Sequence, residues 1–154
     1  MTYSIEQFDR EKTRVMKYII YKKRTEQEVR NKFQKEMEED LLEDIIAYLK
    51  EAGYISDEVY IEKAVREILL LRHLSKKEIS YKLQTKGVKR DLIEKYFEKH
   101  EEELEDYEIE SALHLMRKKI QDKELPEVER SLYTKGFTSH SVREAEKRLE
   151  SEGK

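Results

Sequence analysis

Residues that break helices or form disulfides are scarce in this 154-residue chain, which contains one proline, four glycines and no cysteine. The absence of cysteine excludes disulfides and thiolate metal sites, and it is typical of a reducing cytoplasm. The scarcity of proline and glycine favours an all-α fold. The longest apolar runs, such as ILLL at 68–71, fall far short of the roughly 20 residues that span a membrane, and the first residues lack a signal peptide's apolar segment. We therefore expect a cytoplasmic protein without membrane contact.

Charged residues are unusually abundant, at 44% of the chain against 37% hydrophobic residues, and the formal net charge is −3. Such a composition can indicate disorder, but the apolar residues here recur at helical spacing. The charges alternate in blocks: residues 9–35 hold ten basic and four acidic residues, and residues 36–62 hold one basic and ten acidic residues. The net acidity argues against simple nucleic-acid binding, so the distribution of charge is more informative than its sum.

Three similar segments recur at intervals of about fifty residues: TEQEVRNKFQKEM from residue 25, SKKEISYKLQTKGV from residue 75 and LPEVERSLYTKGF from residue 125. Apolar residues match in register across the three segments and upstream of them. The matching sets are Val15, Val65 and Leu115; Ile20, Leu70 and Ile120; Val29, Ile79 and Val128; and Phe33, Leu83 and Leu132. A period of this length is typical of an array of supersecondary units.

The pattern of each repeat indicates three helices. The sequence therefore predicts an all-α fold of about nine helices in an elongated, curved array. The predicted repeats are residues 1–54, 55–105 and 106–154. The predicted first helices are Asp9–Lys22, Asp57–Arg72 and Tyr107–Ile120; the second are Thr25–Glu36, Ser75–Thr85 and Pro126–Lys135; the third are Asp40–Ala52, Lys89–Glu103 and Ser139–Ser151.

Local chemistry supports these helix ends. TEQE at Thr25 and SKKE at Ser75 have the spacing of capping boxes, and Pro126 suits a first helical turn. Glycines stand where helices should end, and each precedes an apolar residue that can pack back on the helix. These predicted structural turns contain Gly53 and Tyr54, Gly87 and Val88, and Gly136 and Phe137.

Signals of catalysis are weak throughout the sequence. The histidines, His73, His100, His114 and His140, are too far apart for a metal pair on one helix turn. No glycine-rich loop is present to hold a phosphate. We therefore predict no enzyme activity, no cofactor and no metal site.

Basic residues recur at the junctions between first and second helices and along the second helices. Stacked repeats would align them into a basic stripe that suits an acidic filament surface or a phosphate backbone. For any single lysine, a solvated surface position is the simpler interpretation. The predicted stripe consists of Lys22, Lys23, Arg24, Arg30, Lys32, Arg66, Arg72, Lys76, Lys77, Lys82, Lys86, Arg117, Lys118, Lys119, Lys123, Arg130 and Lys135.

The segment YLKEAGYISDEVYIEKAVRE, residues 48–67, resembles the RecX family of bacterial regulatory proteins, which modulate the RecA recombinase. TEQEVRNKF resembles the second helix of that family's first repeat, with Arg30 at its basic position. The turns in SKKEISYKLQTKGV and SLYTKGF resemble those of its later repeats. The similarity runs from about Asp9 to Leu149, although Met37 replaces a turn glycine and the net charge is unusually acidic.

The resemblance implies a non-enzymatic protein that lodges in the groove of the RecA–DNA filament and usually inhibits ATP hydrolysis and strand exchange, in DNA repair, recombination and the SOS response. It also implies possible direct contact with DNA, and we expect a monomer. Two alternatives remain open. One is a direct DNA-binding protein in which QTKGVKRD forms the turn of a helix-turn-helix-like element, with Lys89 and Arg90 on phosphate. The other is a helical interaction scaffold with no nucleic-acid context.

Overall fold

A computed structural model describes residues 3–153, and every regular element in that range is a helix. This confirms the prediction of an all-α fold with nine helices. They are α1 (Ile5–Tyr21), α2 (Glu26–Phe33), α3 (Glu39–Glu51), α4 (Asp57–Leu69), α5 (Lys76–Thr85), α6 (Arg90–Lys99), α7 (Glu101–Lys119), α8 (Leu125–Lys135) and α9 (Ser139–Glu152). We refer to α1–α3, α4–α6 and α7–α9 as repeats 1, 2 and 3.

Two first helices begin earlier than the sequence pattern predicts. Helix α1 starts at Ile5 because the hydroxyl of Ser4 accepts a hydrogen bond from the amide of Gln7 at 3.1 Å. Helix α7 starts at Glu101, and only His100 separates it from α6. Three acidic residues fill the first turn of α7, where negative charge interacts favourably with the helix dipole. This acidic run therefore begins a helix.

The predicted capping boxes are both present. The hydroxyl of Thr25 accepts from the amide of Glu28 at 3.0 Å, and the Glu28 carboxylate accepts from the amide of Thr25 at 3.0 Å. Ser75 and Glu78 make the same pair of bonds at 3.1 and 2.9 Å. Pro126 lies in the first turn of α8, as predicted. The three turn glycines all have positive φ, so the predicted left-handed helix ends are confirmed.

Three separate clusters of buried apolar side chains form the cores of the repeats. Three of the four matching apolar sets lie in these clusters, with one member of each set in each repeat. The first cluster extends to Ile55 and the second to Tyr107, each just beyond the predicted repeat boundary. Because each cluster is small, the repeats depend on contacts with their neighbours.

The fourth apolar set does not reach the core. Ile20, Leu70 and Ile120 are 72%, 80% and 41% exposed. They stand at the ends of the three first helices, beyond the last buried residue of each helix, such as Ile19 or Ile68. Their recurrence at intervals of fifty residues therefore does not reflect packing within a repeat.

The second helix of each of the first two repeats binds the next repeat through its N-cap hydroxyl. Thr25 donates from Oγ1 to the carbonyl oxygen of Lys86 at 2.6 Å, and Ser75 donates from Oγ to the carbonyl oxygen of Lys135 at 2.8 Å. Both acceptors immediately precede a turn glycine. Each hydroxyl therefore caps its own helix and also bonds the second helix of the following repeat.

Carboxylates of the following repeat complete these inter-repeat interfaces. The amide of Glu26 donates to Asp57 Oδ1, and the amide of Lys76 donates to Glu108 Oε2, both at 2.9 Å. Glu108 is fully buried, and its Oε1 also accepts from the amide of Thr138 at 2.9 Å. Burial raises the pKa of Asp57, although the bond from the Glu26 amide acts in the opposite direction.

The two interfaces therefore use the same backbone and side-chain positions, about fifty residues apart. A similar set of contacts implies a similar rotation and translation from repeat 1 to repeat 2 and from repeat 2 to repeat 3. We therefore expect equivalent surface residues to stand at a similar place in each repeat.

Candidate partner-binding surface

In each repeat one cation lies at the same place along the second helix, although in repeat 3 it comes from the first helix. Lys32 and Lys82 are exposed, and each immediately precedes a buried anchor residue of its helix. Ser131 occupies the equivalent position in repeat 3, where Lys119 Nζ donates to Ser131 Oγ at 2.7 Å. Lys119 reaches this place from the first helix of its repeat, so the positive charge is retained although the residue type is not. The row of Lys32, Lys82 and Lys119 is called the second-helix row below.

The end of the second-helix row in repeat 3 is a cluster of like charges. Burial lowers the pKa of Lys119, the nearby positive charges of Lys135 and Lys123 lower it further, and the charge of Glu78 opposes them. Crowded lysines repel one another, and a bound anionic group would relieve that repulsion. This part of the surface therefore suits a carboxylate or phosphate of a partner.

Three of the predicted stripe residues are engaged within the protein. Arg30 pairs with Glu26 at 3.1 Å and with both oxygens of Glu43, and these contacts raise its pKa. Arg117 pairs with Glu152 in the same forked way. The guanidinium of Arg24 lies 4.1 Å from the ring centroid of Tyr18. These arginines would have to exchange existing partners to bind another protein.

The other predicted cations remain candidates for the stripe. Within residues 3–153 they form no ion pair, and each is exposed or half-buried. Lys76 and Lys77 also lie at the interface with repeat 3, where the stem of Lys77 packs against Gly136. The predicted cations without an ion pair, of which Lys119 donates a hydrogen bond to Ser131, are Lys22, Lys23, Lys32, Arg66, Arg72, Lys76, Lys77, Lys82, Lys86, Lys118, Lys119, Lys123, Arg130 and Lys135. Their role in binding stays a prediction.

The junction between α4 and α5 contains a strained residue. Arg72 has a φ of 49°, and no other non-glycine residue between 3 and 153 has a positive φ. Holding an L-residue in this region costs on the order of 1 kcal/mol, and such strain is concentrated at functional sites. Leu70 and Leu71, which precede Arg72, are both exposed. The strained residue Arg72 therefore adds a cationic side chain next to the exposed apolar side chains of Leu70 and Leu71.

Replacing Arg72 with glycine is expected to raise the free energy of unfolding by about 0.5–1 kcal/mol, because glycine adopts a positive φ without a steric penalty. Urea denaturation would measure the change. His73 has no positive φ, so His73→Gly serves as the control and should lower stability instead. A loss of stability in Arg72→Gly would show that contacts of the arginine side chain outweigh the backbone strain.

The exposed apolar residues could not be recognised as a surface from the sequence pattern alone. Ile20, Leu70 and Ile120 match the repeat, but a repeat does not show which way a side chain faces. Their position immediately before the basic junctions was the available signal. Tyr48 and Tyr54 are also about half exposed, at 48% each.

Comparison with known proteins follows from this geometry. No protein-family model matches the sequence. A regulatory protein RecX from Staphylococcus carnosus is 34% identical over 142 residues, which cover 89% of this chain and 53% of that protein. The regulatory protein RecX of Staphylococcus haemolyticus is 28% identical over 137 residues, which cover 84% of this chain and 50% of that protein.

Solved structures show the same fold. A crystal structure of RecX from Lactobacillus salivarius matches with a TM-score of 0.79 and 22% identity, covering 96% of this chain and 99% of that one. A second crystal structure, of a regulatory protein RecX, matches with a TM-score of 0.76 and 24% identity, covering 92% of this chain and 73% of that one. The chain belongs to the RecX family. Its length corresponds to about half that of the curated RecX relatives just described.

Among residues 3–153, no group of three His, Asp or Glu side chains is arranged to hold a metal ion. No helix in the same range is both long and apolar enough to cross a membrane. The cation-rich surface is therefore the feature of the described residues that most directly suggests a binding role.

Proposed function

We propose that this RecX family member is a regulatory protein that binds the RecA–DNA filament and inhibits RecA ATP hydrolysis and strand exchange. It would act by binding rather than by catalysis, as a cytoplasmic monomer, in DNA repair, recombination and the SOS response. The naming of its relatives as regulatory proteins supports the regulatory part of this proposal. The contact with RecA comes from what the family resemblance implies.

The observation that carries the proposal is the second-helix row. Its three cations recur once per repeat, and the two inter-repeat interfaces space them through similar contacts. A protein filament presents the same surface from subunit to subunit, so a regular row of cations can meet acidic groups at several places at once. Electrostatic attraction along such a row also speeds association and makes it sensitive to salt.

Reversing the charge of Lys32 and Lys82 together, by Lys32→Glu and Lys82→Glu, is expected to weaken inhibition of DNA-dependent RecA ATP hydrolysis by at least about tenfold in the concentration required. Both side chains are exposed, so the helical content measured by circular dichroism should not change. The assay compares ATP hydrolysis by RecA on single-stranded DNA over a titration of each variant.

The matched control is the pair Lys63→Glu and Lys95→Glu. These lysines are also exposed and form no ion pair within residues 3–153, but they lie on a first and a third helix. The control changes the net charge by the same amount. Equal inhibition by the two double variants would contradict a specific role for the second-helix row, and failure of the unmodified protein to bind RecA filaments would contradict the proposed function itself.

Direct DNA binding remains the competing function. Lys89 and Arg90 are exposed, as that alternative requires. However, the turn before them packs against repeat 1, because the carbonyl of Lys86 accepts from Thr25 and Gly87 lies against Gln27. The alternative predicts binding to bare DNA with an affinity that falls steeply as salt rises, which a filter-binding assay without RecA would detect.

A further inference from the structure

The aliphatic edge is formed by Ile20, Leu70 and Ile120, which stand at the C-terminal ends of the three first helices: Ile20 is the last residue but one of α1, and Leu70 and Ile120 are the C-caps of α4 and α7. These residues are 72%, 80% and 41% exposed and stand at intervals of fifty residues. Single exposed apolar residues are common on protein surfaces, but recurrence at one structural place in every repeat is not explained by chance exposure. Packing within the repeats does not explain it either, since these side chains lie outside the three buried clusters.

Each member of the aliphatic edge has cations close by in the chain. Lys22 follows Ile20, Arg72 follows Leu70, and Lys118 and Lys123 flank Ile120. None of these cations forms an ion pair within the part of the chain that the structure describes. A partner surface that complements the aliphatic edge is therefore apolar where the aliphatic side chains would enter and acidic around those points.

Because the two inter-repeat interfaces use equivalent hydrogen bonds, we expect the three aliphatic side chains to recur in a row, as do the cations of the second-helix row. The strained backbone at Arg72 marks the same edge in repeat 2. A partner whose own surface repeats at a regular spacing can satisfy all three places with equivalent contacts. A protein polymer meets this requirement.

The chemistry of these side chains separates protein from nucleic acid. Isoleucine and leucine can neither donate hydrogen bonds to phosphate oxygens nor present an aromatic face for base stacking. They gain free energy when they leave water for an apolar surface. Such surfaces are found in the recesses of protein interfaces, while the accessible backbone of DNA is charged.

We propose that the aliphatic edge binds the protein component of a filament, at an acidic surface with apolar recesses that repeat from subunit to subunit, and does not bind the nucleic acid. This inference rests on the proposed function and adds a second, apolar contact to the basic one. The cations beside the edge attract the acidic surface, and the aliphatic side chains then supply an affinity that salt does not screen.

The test is the triple variant Ile20→Ser, Leu70→Ser and Ile120→Ser. Its affinity is measured for RecA filaments assembled on single-stranded DNA and, separately, for the same DNA without RecA. We expect binding to the filament to weaken by at least about 30-fold, because three aliphatic contacts are lost, and binding to bare DNA to stay unchanged. Thermal unfolding should be nearly unchanged, since substitutions at exposed positions rarely alter stability much.

Ile5→Ser combined with Val59→Ser is the matched control. Ile5 is 72% exposed on the same helix as Ile20, and Val59 is 45% exposed, but neither ends a first helix. The control should bind the filament as the unmodified protein does. Agreement between the triple variant and the unmodified protein in filament binding would overturn the inference while leaving the proposed function intact.

Two other outcomes would also overturn the inference. A parallel loss of bare-DNA affinity in the triple variant would assign the edge to nucleic acid. A self-associated unmodified protein that becomes monomeric in the triple variant, with filament binding unaltered, would assign the edge to a second copy of this chain. If the unmodified protein does not bind RecA filaments at all, the proposed function is wrong. That result differs from the outcomes that contradict only the inference about the aliphatic edge.

Discussion

Replacing Glu108 with alanine is expected to lower the free energy of unfolding by about 3 kcal/mol or more. The side chain is fully buried and accepts from the amides of Lys76, the first residue of α5, and Thr138, the N-cap of α9. Alanine would leave both amides without this acceptor and would open a cavity between repeats 2 and 3. Helix N-termini also favour a negative charge, which alanine removes. Urea denaturation would measure the loss.

Asp57 is the matched control because it occupies the equivalent interface between repeats 1 and 2. It is only half-buried and accepts one amide hydrogen bond there, from Glu26 at 2.9 Å. Asp57→Ala is therefore expected to cost about 1 kcal/mol, since water can reach the released amide. Equal costs for Asp57→Ala and Glu108→Ala would contradict the view that full burial makes the second interface more dependent on its carboxylate.

Gly87→Ala is expected to destabilise the protein by about 3 kcal/mol, from two separate causes. The φ of Gly87 is +91°, which strains any L-residue. In addition, an alanine Cβ would overlap the Cβ of Gln27 and stand 2.8 Å from its Cγ, so repeats 1 and 2 would have to move apart. Urea denaturation measures the sum of both effects.

Gly53→Ala separates the two causes. Gly53 has nearly the same φ, +84°, but a Cβ there would meet no heavy atom within 4 Å. Its substitution should therefore cost only the backbone strain of about 1 kcal/mol. Combining Gly87→Ala with Gln27→Gly should recover about 1 kcal/mol or more in a double-mutant cycle. If Gly53→Ala and Gly87→Ala cost the same, contact between the repeats plays no part at Gly87.

These two predictions concern contacts on which the proposed binding surface depends. Both interfaces place the N-cap hydroxyl of one repeat against the turn of the next, so the spacing expected for the second-helix row and the aliphatic edge depends on them. A substitution that separates two repeats would change the spacing of the cations without removing any of them. Under the proposed function, such a variant would lose inhibition of RecA because of the altered spacing.

Local structure was predictable from the residues because its causes lie within one helical turn. The capping boxes at Thr25 and Ser75, the position of Pro126 and the positive φ of the turn glycines are all confirmed. The extra turns at the start of α1 and α7 were not predicted. Ser4 and Gln7 do have the serine-to-glutamine spacing of a capping box, so the start of α1 was predictable from the sequence, whereas the acidic run before Leu104 lacks apolar periodicity.

The binding surface was predictable only as a set of residue types. Sequence spacing indicated recurring cations, but it could not show that Arg30 and Arg117 already have carboxylate partners 13 and 35 residues away. Nor could it show that Lys119 supplies the charge that Ser131 lacks. Such partnerships join different helices, and their geometry depends on how the helices pack.

The sequence by itself determined that this chain forms helices, where most of them begin and end, and that the pattern repeats about every fifty residues. Capping, helical periodicity and left-handed turns depend on neighbours three or four positions apart, so they can be predicted from the sequence. Only the tertiary structure decided that Glu108 is buried, that Ile20 is exposed and that Thr25 bonds to a carbonyl 61 residues away. Those outcomes depend on which surfaces of separate repeats meet, because burial and long-range hydrogen bonds exist only after the repeats have packed.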